Sequence, residues 1–217
     1  MFAEVNGISM YYEVAGSGEP VILIHGNSET HGIFDVLVND LSETHQVFSV
    51  DSRCHGQSSR VKGRIGYDMM AEDYIAFIKA LDIHKPTVYG FSDGGIIGLK
   101  IAIREPYLLE RLIVSGANLN PRGLRVSSRI GMWPRAIFGN RLYQMMLREP
   151  DIKLTELASI RIPVVVLAGE NDVVKESHTM EIASAIPDST LELVPGEDHG
   201  SYIVHSEKLY PIISKYL

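Results

Sequence analysis

The sequence predicts an α/β fold in which helices flank both faces of a mostly parallel central sheet. Residues 20–25 (PVILIH) form a continuous apolar run that ends at His25, as is typical of a strand buried on both faces of such a sheet. Apolar runs of this kind alternate with segments of helical apolar spacing, such as residues 67–81. This alternation indicates a parallel sheet between two helical layers. The 217 residues are sufficient for one domain of this class.

The elements can be assigned in chain order. Two N-terminal strands, 2–5 and 8–15, are joined at Asn6-Gly7, a turn dipeptide that favours a hairpin. Further strands are predicted at 20–25, 46–50, 86–91, 111–115, 161–168 and 190–194, and helices at 31–43, 67–81, 92–105, 175–186 and from about 202. Residues 118–161 interrupt the alternation. We therefore expect a core domain of residues 1–117 and 162–217, with a short helical cap inserted at 118–161.

Composition excludes several classes of function. The net charge of −7 argues against nucleic acid or an anionic membrane as the main partner. The single cysteine, Cys54, permits no intrachain disulfide and fits a reducing compartment, so a cytoplasmic protein is expected. The eight histidines lack the spacing of a metal motif, and no segment resembles a signal peptide or membrane span. We expect no metal or cofactor, a small-molecule partner, and a monomer or homodimer.

The most informative motif is GFSDGG at residues 90–95. It places Ser92 in a G-x-S-x-G frame between a predicted strand and a predicted helix. A serine on such a sharp turn presents its hydroxyl group at the helix N-terminus, as a nucleophile elbow does. The alternative is a Gly/Ser-rich turn that only caps the helix.

Two further polar residues follow predicted strands, in the order nucleophile, acid, base. Asp172 comes after strand 161–168, and His199 comes after strand 190–194. Because sites in parallel sheets lie at the carboxyl ends of strands, Ser92, Asp172 and His199 are predicted to form a catalytic triad. His199 would activate the serine hydroxyl, and Asp172 would orient the imidazole. Glu170 and Asp198 are competing acids, and Asp172 as a helix N-cap is the structural alternative.

The tetrahedral intermediate of such a reaction needs preorganised hydrogen-bond donors. The backbone N–H of Asp93, next to the nucleophile, is one candidate. The second is the backbone N–H of Asn27, in the loop after strand 20–25. These two amides form the predicted oxyanion hole, with His25 holding the loop.

These motifs together carry a family resemblance over nearly the whole chain. HGN at 25–27, DSRCHGQS at 51–58, GFSDGG at 90–95, GEND at 169–172 and EDHG at 197–200 resemble, in order, landmarks of the α/β-hydrolase superfamily. The region around Ser92 is similar to the biphenyl-hydrolase-like (valacyclovir hydrolase-like) esterases, the enol-lactonases and the meta-cleavage-product hydrolases. Cys54 departs from the pattern, because glycine is usual there and a left-handed backbone would penalise a Cβ.

The resemblance implies a serine hydrolase that cleaves a small carboxylic ester, lactone or thioester through an acyl-enzyme. A C–C bond hydrolase acting on meta-cleavage products and a cofactor-free perhydrolase would use the same triad. A protein of another class, a ligand-binding sensor on this fold, would keep the pocket and turn over slowly.

The predicted cap is basic and rich in large apolar side chains. It has eight basic and three acidic residues, and Trp133, Met145 and Met146 are candidates for substrate binding. Arg122, Arg125 and Arg129 are spaced to share one helix face. They would either pair with carboxylates of the acidic core, which is the commoner fate, or attract a carboxylate on the substrate.

Overall fold

The computed structural model describes all 217 residues and contains one eight-stranded sheet. The strand order across the sheet is β1-β2-β4-β3-β5-β6-β7-β8. The strands are β1 (Phe2–Val5), β2 (Ile8–Ala15), β3 (Glu19–Ile24), β4 (His45–Val50), β5 (Thr87–Phe91), β6 (Arg111–Ser115), β7 (Val164–Gly169) and β8 (Ser189–Val194). β1 and β2 form an antiparallel hairpin, β2 pairs antiparallel with β4, and all remaining pairs are parallel. The predicted fold class is confirmed.

The structure contains eight α-helices, of which the first seven lie between strands and the eighth follows the last strand. They are α1 (Asp35–Leu41), α2 (Tyr67–Ala80), α3 (Asp93–Arg104), α4 (Val126–Ile137), α5 (Arg141–Arg148), α6 (Leu154–Leu157), α7 (Glu176–Ala185) and α8 (Leu209–Ile213). Short 3₁₀ helices occupy His31–Phe34, Pro121–Gly123 and Ser214–Tyr216. None of these helices combines the length and apolar character needed to cross a membrane.

The sheet separates two apolar clusters, as its continuously apolar strands predict. Along β3, Ile22 and Ile24 lie in the larger cluster, whereas Val21 and Leu23 lie in the smaller one. The larger cluster contains side chains of α2, α3 and α7, and the smaller cluster contains side chains of α1 and α8. Successive residues of a strand point to opposite faces, so burial on both faces requires apolar residues throughout the strand.

The C-terminal helix differs from its prediction. It was expected from about residue 202, but α8 begins at Leu209. His205 has a backbone φ of +50°, in the left-handed region, which interrupts helical geometry. Residues 200–204 form turns in which the amides of Ile203 and Val204 both donate to the Gly200 carbonyl. The apolar spacing of this segment therefore reflects packing of irregular backbone rather than a continuous helix.

The insertion between β6 and β7 has two parts. Its first part carries α4 and α5, whose outer surface is exposed at Ile130 and Ile137. Its second part packs into the larger apolar cluster through Ile152, Leu157 and Ile160. The C-terminal end of the expected cap is therefore anchored to the α/β layers by three buried side chains, while residues between them are exposed.

Candidate active site

Ser92 lies on a strained turn between the end of β5 and the start of α3. Its φ is +53° and its ψ is −113°, an unusual conformation for a residue with a side chain. The helix can approach β3 closely because residue 94 is glycine: a Cβ there would lie 2.0 Å from the carbonyl oxygen of Ile24. The local structure is thus the strand–serine–helix turn described by the GFSDGG pattern.

A chain of hydrogen bonds joins the three predicted triad residues. His199 Nε2 lies 3.0 Å from Ser92 Oγ, and His199 Nδ1 lies 2.7 Å from Asp172 Oδ1. The Asp172 carboxylate is 2% exposed, whereas the His199 side chain is 24% exposed. This gives Ser92 a base within reach and gives that base a buried carboxylate as its partner, which is the arrangement that nucleophilic catalysis by serine requires.

The three candidate acids, Asp172, Asp198 and Glu170, have different hydrogen-bond partners in the structure. Asp172 is not the N-cap of α7, which begins at Glu176 with Lys175 as its cap. Its Oδ1 instead accepts a hydrogen bond from the Val174 amide as well as from His199. Asp198 accepts from the amides of Gly200 and Ser201, and Glu170 accepts from the amide of Gly196. Of these three acids, only Asp172 forms a hydrogen bond with the His199 ring.

Gly116 supports the triad and was not identified from the sequence. It follows β6 with a φ of +64°, and a Cβ at this position would lie 2.7 Å from His199 Cε1 and 2.8 Å from Nδ1. The same Cβ would lie 3.3 Å from Asp172 Oδ2. The His199–Asp172 pair therefore occupies the space that a side chain at 116 would fill. The only available signal was a glycine directly after a predicted strand.

The two residues of the predicted oxyanion hole, Asn27 and Asp93, are joined by a side-chain hydrogen bond. Asp93 is the first residue of α3, so its N–H has no acceptor within the helix. The Asn27 N–H donates no hydrogen bond within the chain. The Asn27 side chain donates to Asp93 Oδ2 at 3.1 Å, and the Tyr67 hydroxyl donates to Asp93 Oδ1 at 2.8 Å. Burial raises the pKa of Asp93 to about 6, while these two hydrogen bonds oppose the increase.

His25 holds the loop that carries Asn27. Its Nδ1 donates to the Gly26 carbonyl at 2.7 Å, and its Nε2 accepts from the Ser52 amide at 3.0 Å. Burial lowers the pKa of His25 to about 3, so the ring is neutral at physiological pH. This agrees with the structural role expected for His25.

A cavity of about 240 Å³ opens above Ser92 and His199. Helices α4 and α5 contribute four side chains to its wall, namely Ser128 and Met132 from α4 and Tyr143 and Met146 from α5. Of the three predicted substrate-binding residues, the structure brings only Met146 to this cavity. The remaining lining residues are Asn27, Glu29, Phe91, Asn118, Leu124 and Val173.

Trp133 and Met145 lie elsewhere for reasons of helical geometry. Ser128 and Met132 are four residues apart and share one face of α4, so Trp133 points away and is 56% exposed. Tyr143 and Met146 are three residues apart and share one face of α5, and Met145 is instead fully buried in the larger apolar cluster. The structure therefore brings α4 and α5 of the expected cap to the cavity, but among the three predicted residues only Met146 faces it.

The arginines of the insertion have neither of the two expected partners. None of its seven arginines forms an ion pair with a carboxylate, and none lines the catalytic cavity. Arg141 donates to the carbonyls of Val61 and Gly63, and Arg135 lies over the Tyr143 ring, 5.2 Å from its centroid. Pairing of these arginines with the acidic core is therefore not what holds the insertion in place.

The side chains around the cavity also show what the site does not contain. No group of three His, Cys, Asp or Glu side chains is arranged to hold a metal ion. The chemistry that these residues can perform on their own is activation of Ser92 through His199 and stabilisation of an adjacent oxyanion by backbone amides.

Comparison with known proteins defines the class. The family model described as alpha/beta hydrolase fold matches residues 19–141, more than half of the chain, and the protein belongs to this family. Membership of this family implies hydrolase activity. The human serine hydrolase BPHL is 24% identical over 245 aligned positions, covering 98% of this chain and 84% of that protein.

Two solved structures share the fold. The enol-lactonase from Burkholderia xenovorans LB400 superimposes with a TM-score of 0.83 at 18% identity, covering 99% of this chain and 98% of that one. A meta-cleavage product hydrolase from Pseudomonas fluorescens IP01 has a TM-score of 0.79 at 17% identity, covering 96% of this chain and 94% of that one. The predicted resemblance to these groups is confirmed. The alignment with BPHL is longer than the 217 residues of this chain, so the human protein contains residues that this chain lacks.

Proposed function

We propose that the protein is a serine hydrolase that cleaves a small carboxylic ester, lactone or thioester through an acyl-enzyme on Ser92. The observation that carries this proposal is the continuous chain from Ser92 Oγ to His199 to Asp172 at the floor of a cavity. The likeness to BPHL, which is a serine hydrolase, and to an enol-lactonase supports the same reaction class. The single cysteine fits action in a reducing compartment such as the cytoplasm.

In the proposed first half-reaction, Ser92 Oγ attacks the acyl carbon and its proton passes to His199 Nε2. The electrons of the carbonyl π bond move onto the carbonyl oxygen, which becomes the oxyanion of a tetrahedral intermediate. The amides of Asn27 and Asp93 stabilise this oxyanion. His199, held by Asp172, then gives the proton to the leaving alkoxide or thiolate, and the acyl–heteroatom bond breaks. In the second half-reaction, His199 takes a proton from water, and the resulting hydroxide attacks the acyl carbon to form a second tetrahedral oxyanion. As this intermediate collapses, the bond between the acyl carbon and Ser92 Oγ breaks, His199 returns the proton to Oγ, and the carboxylic acid is released.

The cavity supports a small substrate that carries no negative charge. A volume of about 240 Å³ is below the usual range for drug-sized ligands. Glu29 is the only ionisable wall residue besides His199 and Tyr143, and no arginine or lysine faces the cavity. We propose that α4 and α5 act as a short cap whose Met132 and Met146 contact the acyl group.

The test is hydrolysis of p-nitrophenyl acetate and butyrate by the wild type and Ser92→Ala, together with intact-mass analysis after treatment with a fluorophosphonate. We expect turnover and a single covalent adduct in the wild type and neither in Ser92→Ala. Ser127→Ala, on the exposed part of α4, is the matched serine control and should retain both.

Folded wild-type protein without turnover or labelling would contradict the proposal and would favour a ligand-binding role instead. Ester turnover that persists in Ser92→Ala would place the reaction at another group. Addition of peroxide to the same assay distinguishes acyl transfer to peroxide from hydrolysis.

A further inference from the structure

Glu29 is a half-buried carboxylate beside the proposed nucleophile that the triad does not use. It lines the catalytic cavity together with Ser92 and His199. A Cβ placed on Gly26 would lie 2.6 Å from Glu29 Oε2 and 3.2 Å from Ser92 Cβ, so the carboxylate and the nucleophile both lie against Gly26. The position of Glu29 therefore calls for a physical explanation.

The Glu29 side chain has no cationic partner. It forms no ion pair with Lys, Arg or His, and its one hydrogen bond from the protein comes from the Gly26 amide, 2.9 Å from Oε2. Burial raises the pKa of Glu29, and the bond from Gly26 only partly offsets this effect. Burying a carboxyl group without a cationic partner costs free energy. The hydrogen bond from the Gly26 amide is the interaction that offsets part of this cost, so it is the contact to which a role can be assigned.

Glu29 also closes the turn in which Asn27 lies. Its backbone amide donates to the Gly26 carbonyl at 3.4 Å, and its side chain accepts from the Gly26 amide, so both groups of Glu29 bind the same residue. The His25 ring donates to the same Gly26 carbonyl. The turn contains Ser28 at a φ of +61°, a strained conformation that persists only where its surroundings enforce it.

The direction of the Asn27 N–H follows from these contacts. The carbonyl of Gly26 and the N–H of Asn27 belong to one planar trans peptide unit, so they point in opposite directions. His25 and the Glu29 amide fix the carbonyl of this unit, and the Glu29 carboxyl group fixes the preceding unit through the Gly26 N–H. With both peptide units held, the Asn27 N–H has a single orientation.

We propose that Glu29 is a positioning residue that holds turn 26–29 so that the Asn27 N–H points at the oxyanion of the tetrahedral intermediate. This inference rests on the proposed function and extends it by assigning a role to a residue outside the triad. The effect depends on a hydrogen-bond acceptor at Oε2 and not on a negative charge. A glutamine side chain, whose carbonyl oxygen accepts in the same place, should therefore substitute for it.

The experiment compares Glu29→Ala, Glu29→Gln and the wild type with p-nitrophenyl butyrate. A misplacement of about 1 Å costs on the order of 100-fold in rate. We therefore expect Glu29→Ala to lower kcat about 10- to 100-fold with KM changed less than about 3-fold, and Glu29→Gln to recover most of the loss. Glu43→Ala, an exposed glutamate outside any ion pair, is the control for the substitution itself. Thermal unfolding of each variant checks that it is folded.

A second measurement is independent of turnover. Without its acceptor the Gly26 amide should exchange with solvent about 10-fold faster or more in Glu29→Ala, as measured by NMR, while Glu29→Gln keeps it protected. An unchanged kcat or an unchanged exchange rate in Glu29→Ala would overturn the positioning role. A loss in Glu29→Gln as large as that in Glu29→Ala would overturn it too, because the charge would then be what matters.

The two proposals fail in different ways. An active wild type that is silenced by Ser92→Ala but unaffected by Glu29→Ala contradicts only the role of Glu29. A wild type without turnover or labelling contradicts the proposed function, and the exchange rate of the Gly26 amide then decides whether Glu29 holds the turn.

Discussion

Substitution of Gly116 by alanine tests the geometry of the His199–Asp172 pair directly. The substitution adds one methyl group at a residue that does not react. That methyl group would lie 2.7 Å from His199 Cε1, well inside an ordinary van der Waals contact of 3.4 Å or more. Gly116 follows β6, which is held between two neighbouring strands, so the imidazole is the group that moves.

The magnitude follows from that overlap. Relief of the contact requires the His199 ring to move by roughly 0.7 Å, which would lengthen the 3.0 Å contact between Nε2 and Ser92 Oγ beyond a good hydrogen bond. Since a displacement of about 1 Å in reacting groups costs on the order of 100-fold, we expect kcat/KM to fall about 30- to 100-fold. The left-handed backbone adds about 1–2 kcal/mol of strain to the folded state.

The assay is p-nitrophenyl acetate hydrolysis alongside urea denaturation. Gly196→Ala is the matched control, because Gly196 has a φ of +73° and a Cβ there would meet nothing within 4 Å. Both variants should therefore lose similar stability from backbone strain, but only Gly116→Ala should lose activity. If Gly116→Ala is as active as Gly196→Ala, then His199 does not work from the position described, and the triad geometry is wrong.

Two further predictions concern charge. Asp93 is buried with its pKa raised from 3.8 to about 6, so the stability that its protonated form provides is lost as the pH rises through 6. The free energy of unfolding of the wild type relative to Asp93→Asn should therefore fall by about 2 kcal/mol between pH 4 and pH 7. Urea denaturation that shows no such pH dependence would mean that Asp93 is not buried as described. The spacing predicted that Arg122, Arg125 and Arg129 share one helix face, but only Arg129 lies in α4, where it is half-buried, whereas Arg122 and Arg125 precede the helix and are exposed. Neutralising the three together (Arg122→Gln, Arg125→Gln and Arg129→Gln) should change the preference for neutral over anionic p-nitrophenyl esters less than about 2-fold, because none of these side chains lines the cavity. A change of 10-fold or more would show that they reach the substrate.

The elements that the sequence predicted well share a physical property. The last four residues of β5 and of β6 are all buried, and a strand that is buried on both faces consists largely of apolar or small residues, which is the pattern that the sequence shows. The same applies to the turn at Ser92, where Gly94 is dictated by contact with the backbone of β3. The chain order of Ser92, Asp172 and His199 then predicted which side chains meet, because the carboxyl ends of parallel strands share one edge.

The features that escaped prediction depend on contacts between distant segments. Gly116 is one of many glycines in loops. The need for glycine there comes from its contact with the ring of His199, which lies 83 residues later in the chain and is therefore not apparent from the local sequence. Glu29 looks like an ordinary loop carboxylate until its contact with the Gly26 amide is known. The left-handed backbone at His205, which prevents a helix from starting near residue 202, could not be predicted either. Apolar spacing indicates which side chains are buried but does not show whether the backbone between them is helical.

The insertion shows why substrate class is harder to derive than reaction class. The chemistry near Ser92 comes from strand ends, whose positions the sheet fixes, whereas half of the apolar wall comes from α4 and α5. Rotating α4 by one residue would replace Met132 with the larger Trp133 in the wall and would reduce the volume of the 240 Å³ cavity. Composition is unchanged by such a rotation, so the sequence indicates a Met-rich, aromatic cap without indicating how large a substrate fits beneath it. Mutations at Met132 and Met146 should accordingly alter the preference for acyl chain length, whereas mutations at Trp133 should not.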